Sequence, residues 1–497
     1  MPYQCLCDMK LAKSTLLVWL LVSAMAGFLL LTAAGCKKAV APKPIQPTLS
    51  PEQAKEQRLT WNFKTLVEAY EKAGHTSPKW DEPAKRALTE FARSRSQCVE
   101  SNEAWGLIVC SNCIIAVNAG CDDPMIRYLY VRFSMNQTNS AQAFTDAFCK
   151  TAHDMDNSSY PAIRKFYAAQ RAVDQLFYTY GYNTNNLVLH PIFAEIEPLV
   201  GKNLLPALDD KSMPAEEAFE VCDAALTAIK GQGIADYPAY TQAYHCIEKP
   251  MFNNWPDAYT TLLLKGEAYI QLAWAARGPG LANTVTEEGW KLFRERLAIA
   301  ENALTNAWQV NPGDSRIADY MLEVELGQGE GRDRLELWFG RSMALNPNDY
   351  AACSSKLNYL TPKWYGSTED MLQFGRECAA NKQWGGNVPL VLLDAHYWIN
   401  GGWTAKSEQT NYWKQPEVWS DLDSAYERFF AANPDATGRY YQYAWYAYKC
   451  GQWAKFIELI PKLGPVNYDY FGGKDKFDEM VQLAKEHAGS PKVEENK

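Results

Sequence analysis

An apolar run closed by Asn-Pro occurs twice in this chain at a spacing of 35 residues: Ala307-Trp308-Gln309-Val310-Asn311-Pro312, then Ser342-Met343-Ala344-Leu345-Asn346-Pro347. Proline lacks the N–H that the next helical hydrogen bond needs, so an apolar helix that runs into it stops there. Two stops at one spacing mean that one unit, a pair of helices, is used again. A pair of amphipathic helices has an apolar face that it can bury only against its neighbour. Repetition near this period therefore predicts stacked helical hairpins.

The same punctuation extends in both directions. Helices are predicted over 258–277 and 287–310, then across 315–347, 351–360 with 368–381, 388–399 with 419–432 (closed by Asn433-Pro434), and 439–460. Before them the apolar spacing predicts helices over 51–73, 82–94, 103–118, 124–135, 140–154, 160–180 and 214–230. Three prolines at Pro191, Pro198 and Pro206 make 187–208 read as short helices and turns. The segment 232–255, with Gly233, Pro238, Pro250 and Asn253-Asn254, reads as the linker between two domains. No alternating stretch is long enough for a sheet, so the fold class is all-α.

The hairpin residues resemble the tetratricopeptide repeat. Gly266, Ala268 and Tyr269 stand where that family puts a small residue and a ring in the first helix, and Ala300, Leu304, Ala307 and Pro312 follow its second helix. Ala444, Gly451 and Trp453 give a later match. The resemblance covers 256–463 and implies a helical solenoid whose concave face holds a peptide or another protein.

The N-terminus reads as an address. Lys10 and Lys13 precede an apolar run over 15–34, which ends in small residues before Gly35-Cys36-Lys37-Lys38. That order is an export signal. Ala33-Ala34-Gly35-Cys36 resembles the lipobox of bacterial lipoproteins, which implies acylation (a palmitate-type lipid) at Cys36, with the body held at the cell envelope. The competing reading is an uncut anchor helix, since about 20 apolar residues span a bilayer. Pro42, Pro44 and Pro47 make 36–49 a stiff tether of roughly 40 Å. The chain is thus expected to comprise a signal (1–35), the tether (36–49), an N-terminal helical domain (50–250), the repeat domain (256–463) and a C-terminal segment and tail (464–497).

Thirteen cysteines invite closer reading. Without Cys5, Cys7 and Cys36 ten remain, an even number in an exported body, and six of them lie before the repeats: Cys98, Cys110, Cys113, Cys121, Cys149 and Cys222. Disulfides among these six, with no pairing assigned, are expected. Cys110-Ser111-Asn112-Cys113 has the spacing of a redox pair, but no strands surround it to make a thioredoxin-like setting. Cys110, Cys113 and Cys121 supply three thiolates where a structural zinc site needs four ligands, and the six histidines are scattered singly. No metal or cofactor is therefore expected.

A net charge of −9 argues against nucleic acid as a partner. Paired carboxylates such as Asp122-Asp123 and Glu369-Asp370 begin helices, where capping accounts for them. The expected function is a non-catalytic one: a membrane-anchored envelope lipoprotein that binds a protein or peptide. Two alternatives rest on 17 Trp and 28 Tyr, rings that line sugar grooves. One is a glycan-binding surface lipoprotein, though the chain lacks the aromatic-Thr-Glu-Glu-Asp-Ala opening of starch-binding lipoproteins. The other is a helical-barrel glycosidase or lyase working with two opposed carboxyls.

Overall fold

The computed structural model describes residues 49–98, 104–134, 140–180, 191–231, 237–401 and 411–488. The signal, Cys36, the tether up to residue 48 and the tail after Ala488 lie outside them. Among the described residues the chain is all helix, without a strand, and helices adjacent in sequence pack as neighbours. None is long and apolar enough to cross a membrane. Two compact units result, one ending at Asn311 and the other beginning at Pro312.

The first unit opens with α1 (Pro51–Ala73). Ser50 Oγ accepts from Gln53 N at 3.2 Å while Gln53 Oε1 accepts from Ser50 N at 2.9 Å, a reciprocal cap that satisfies two otherwise orphaned donors. Gly74 caps the helix end, where a Cβ would sit 2.6 Å from the Tyr70 ring and 2.7 Å from the Tyr160 hydroxyl. Then come α2 (Asp81–Arg95), α3 (Trp105–Asn118), α4 (Pro124–Ser134), α5 (Ala141–Asp156) and α6 (Ala162–Tyr180). Leu66, Leu88, Val109, Ile126, Phe148 and Leu176 meet in one core. Burying each such side chain is worth about 1.5–3 kcal/mol.

Two segments depart from expectation, and proline is the reason in both. The stretch read as turns is a continuous helix, α7 (Pro191–Leu208), with Pro198 and Pro206 inside it. Residues read as a linker form α9 (Tyr237–Asn254), which contains Pro250 and follows α8 (Ala215–Gly231). An internal proline costs a helix about 3 kcal/mol. Here apolar burial offsets that cost: Phe193, Ile196, Leu204 and Leu208 anchor α7, and Tyr244, Ile247 and Met251 anchor α9.

The expected domain boundary moves accordingly. α10 (Tyr259–Arg277) and α11 (Glu287–Val310), the first hairpin of the anticipated repeat, belong to the first unit. Asn254 Nδ2 donates to the Leu208 carbonyl at 2.6 Å, Trp255 Nε1 to that of Met213 at 2.9 Å, and Tyr259 OH to Glu216 at 3.1 Å. These bonds staple the supposed linker to α7 and α8. Within the hairpin, Gly266 permits close approach: a Cβ would lie 2.5 Å from Leu304. Ala300, Leu304 and Ala307 are wholly buried on the facing helix.

In the second unit come α12 (Ser315–Gln328), α13 (Arg332–Leu345), α14 (Tyr350–Tyr359), α15 (Thr368–Ala380), α16 (Val391–Gly401), α17 (Pro416–Ala432), α18 (Tyr440–Lys449), α19 (Trp453–Leu459) and α20 (Lys474–Ala488). Side-chain oxygens of Asp314, Asp349 and Ser367 cap α12, α14 and α15. Rings fill the space between α17 and α18: Tyr426 stacks on Tyr443 at 4.3 Å and Phe430 on Tyr440 at 4.0 Å. The Tyr- and Trp-rich helix α18 thus spends its rings largely on packing.

Candidate functional site

Two proline-containing helices of the first unit border an apolar groove. Pro206 near the end of α7 and Pro250 near the end of α9 both line a groove of about 1010 Å³. Each ring deletes the N–H that a carbonyl four residues earlier would use, at Lys202 and Cys246. Ala275 and Ala276 at the end of α10 present only methyl groups, and Leu292 of α11 completes the apolar floor.

Charge is arranged unevenly around this groove. Lys249, Arg296 and His245 line it against one carboxylate, Asp209. Arg296 Nη1 donates to the Leu272 carbonyl at 2.5 Å, which fixes the guanidinium at the edge of the opening. His245 stands 3.7 Å from Glu248, which also pairs with Lys265 at 3.3 Å. A cationic rim on a chain of net charge −9 is a local exception, and it suits an acidic group attached to an apolar body.

A second, smaller hollow of about 240 Å³ lies in the other unit, between α14, α16 and α18. Its walls are polar and aromatic: Tyr397 is 62% exposed, and Asp394, Asn387, Arg439 and Gln442 surround it. The Tyr350 hydroxyl donates to Asp394. Burial raises the Asp394 carboxyl above the usual carboxylate range, against the pull of that hydroxyl and of Arg439.

The cysteines stand elsewhere and correct the expectation placed on them. Cys98, Cys110, Cys113, Cys121, Cys149 and Cys222 are free thiols. Cys110 and Cys113 share α3, and Cys113, Cys121 and Cys149 pack in the one core of the first unit. Burial pushes Cys113 and Cys149 up to about 12 and Cys121 to about 11. Such thiols stay protonated and behave as small apolar side chains, the reverse of an activated redox pair. Among the described residues no three His, Cys, Asp or Glu side chains are grouped to hold a metal ion.

Of the carboxylates singled out at helix starts, Asp123 caps its helix and Asp370 supports the serine that caps α15. Asp123 Oδ1 accepts from Met125 N at 2.9 Å and Ile126 N at 3.1 Å, and its other oxygen takes His75 N at 2.9 Å. Asp370 accepts from Ser367 Oγ at 2.8 Å in the cap of α15. Sequence reasoning passed over a different carboxylate, Glu217, which is wholly buried at the start of α8. Arg95 Nη2 lies 2.9 Å and Arg58 Nε 3.2 Å from it, the Tyr167 hydroxyl donates to it, and Arg58 also reaches Glu220 at 2.6 Å. Burial works to raise Glu217, but Arg95, the Tyr167 hydroxyl and Arg58 outweigh it and hold the carboxyl below its ordinary value. This cluster ties α1, α2, α6 and α8 together and borders neither opening.

Compared with protein-family models, with curated proteins and with solved structures, the chain matches none.

Proposed function

We propose that this chain is a membrane-anchored envelope lipoprotein that acts as a binding scaffold, taking an apolar, acidic peptide segment of another protein into the groove between α7, α9, α10 and α11. One observation carries the reading: an apolar groove of about 1010 Å³ rimmed by Lys249, Arg296 and His245 on an acidic protein. A peptide helix or turn with an apolar face would bury that face on Pro206, Ala275, Ala276 and Leu292, and its carboxylate would meet the rim. Charge pairs at such a rim set partner choice and encounter rate more than affinity. The Gly266–Leu304 approach in the first hairpin supports a tetratricopeptide-like array as the scaffold, and the lipobox-like Cys36 supports anchoring by a lipid. A fluorescence-anisotropy screen of apolar peptides with and without Asp or Glu tests the function. The acidic set should bind the wild type and lose affinity to Lys249→Glu and Arg296→Glu. Equal binding of both sets to all three proteins would refute it.

A second reading rests on the smaller hollow. An exposed ring at Tyr397 beside the planar polar groups of Asn387, Gln442 and Arg439 is the furniture of a single sugar subsite, and it supports glycan capture by the other unit. Loss of glycan-array signal in Tyr397→Ala would support that reading, and an array on which the wild type is silent would remove it.

A further inference from the structure

Between α6, α7, α8 and α9 lies a separate chamber of about 110 Å³, distinct in chemistry from the groove, although Leu205 and Cys246 contribute to the walls of both. Val173, Val200, Leu204, Leu226, Ala243 and Ile247 make it apolar. Two oxygen-bearing side chains enter it, Glu197 from α7 and Gln170 from α6.

The orientation of Gln170 is fixed by its other neighbour. Its amide nitrogen donates to Asp174 Oδ1 at 3.0 Å. A carboxylate only accepts, so the Gln170 nitrogen must face Asp174 and the oxygen must face away. That oxygen, Gln170 Oε1, is buried without a hydrogen-bond partner, on a residue only 9% exposed. A buried acceptor left unsatisfied costs about 1–3 kcal/mol. Glu197 faces the same space, and burial alone pushes its carboxyl up to about 7. The chamber therefore offers two acceptors in an apolar box. Its other lining side chains hold no strong donor, since the Cys246 thiol is a weak one. What fits such a box brings N–H groups and a positive charge at one end and hydrocarbon at the other.

We propose that this chamber is a recognition site for a small primary alkylammonium ion, whose N–H groups donate to Glu197 and Gln170 Oε1 while its chain lies against Val173, Leu204 and Ile247. The volume holds on the order of five non-hydrogen atoms, the size of n-butylammonium. Glu197 is only partly buried, which leaves a way in from solvent. A quaternary ammonium lacks the donors, an alcohol of equal length lacks the charge, and a carboxylate would be repelled. The site does not depend on the peptide reading of the groove.

Calorimetric titration of the full chain at about pH 8, where an ordinary Glu is ionised, tests it with n-butylammonium, 1-butanol and tetramethylammonium. Saturable n-butylammonium binding at least about tenfold tighter than either control is expected, as for a charged hydrogen bond in an apolar site. Glu197→Gln and Gln170→Leu should each weaken it about tenfold or more. A chamber that merely holds water would give no saturable n-butylammonium binding and would overturn the proposal, as would binding indifferent to Glu197→Gln. Should either variant fail to fold, the ranking of the three probes on the wild type decides the matter alone.

Discussion

Two buried acidic groups, Glu217 in the first unit and Asp319 in the second, are accommodated in opposite ways. In the first, Glu217 is surrounded by Arg58 and Arg95 and receives a tyrosine hydroxyl, so its charge is kept and its proton is expelled. In the second, Asp319 accepts from Ser342 Oγ at 2.6 Å but also faces Asp349 and Asp314, and burial with those like charges raises it to about 7. One arrangement binds four helices through opposite charges, and the other tolerates a shared proton between neighbouring helices. The contrast extends to shape. In the first unit Pro206 and Pro250, inside α7 and α9, line an open groove, whereas in the second unit stacked rings fill the space between α17 and α18.

The sharpest break of that comparison is removal of one partner from each cluster. Glu217→Leu removes the buried counter-ion of Arg58 and Arg95, leaves them only the more exposed Glu220, and should cost up to about 3–5 kcal/mol. Asp319→Asn removes a like charge and should be neutral or stabilising by about 1 kcal/mol. Hydrogen exchange read helix by helix, at α8 and α12, separates the two effects.

A pH series sharpens the same contrast. Glu217 is depressed below its ordinary 4.5, so the unfolded chain binds its proton first. Its contribution is complete above about 4.5 and is lost as pH falls through the folded value. Asp319 is raised from 3.8 to about 7, so the folded form holds the proton. Its contribution is complete below 3.8 and lost as pH rises through about 7. Exchange protection of α8 should therefore fade in acid, and that of α12 toward alkaline pH.

Glycines give a smaller effect of the same kind. Gly266→Ala in α10 drives a Cβ to 2.5 Å from Leu304 and should cost about 1–3 kcal/mol, whereas Gly340→Ala in α13 meets nothing within 4 Å and should gain about 1 kcal/mol. Thermal melts of the two variants check this pair. Pro250→Ala addresses the groove itself. It returns a donor to the Cys246 carbonyl and lifts a proline cost of up to about 3 kcal/mol, so the melt should rise while peptide capture weakens. Unchanged capture would show that the groove does not need that ring.

Much of the helical plan was legible because caps and stops are local chemistry. Ser50-Pro51 opens α1, Asn311-Pro312 and Asn346-Pro347 close α11 and α13, and Gly266 does sit where a close approach was expected. Prolines inside helices were misread, because a breaker is local while the burial that overrides it, of Phe193 and Ile196 or of Tyr244 and Met251, is tertiary. The groove is lined by two of those prolines and by residues of four helices brought together only by the tertiary fold, so it was invisible in the sequence. Cysteine parity misled for a related reason. An even count says nothing about which thiols face one another, and seven of these ten are buried as small apolar side chains. Glu217 gave no signal either, since Arg58, Arg95 and Tyr167 come from three different helices.

The account stands most directly on binding at the groove of the first unit. Anisotropy titration of one apolar, acidic peptide against wild type, Lys249→Glu and the Lys249→Glu/Arg296→Glu double variant measures it. Affinity should fall stepwise with each reversed charge and return for the same peptide with lysine in place of its acids. Identical curves for all three proteins, or no binding by any, would contradict it.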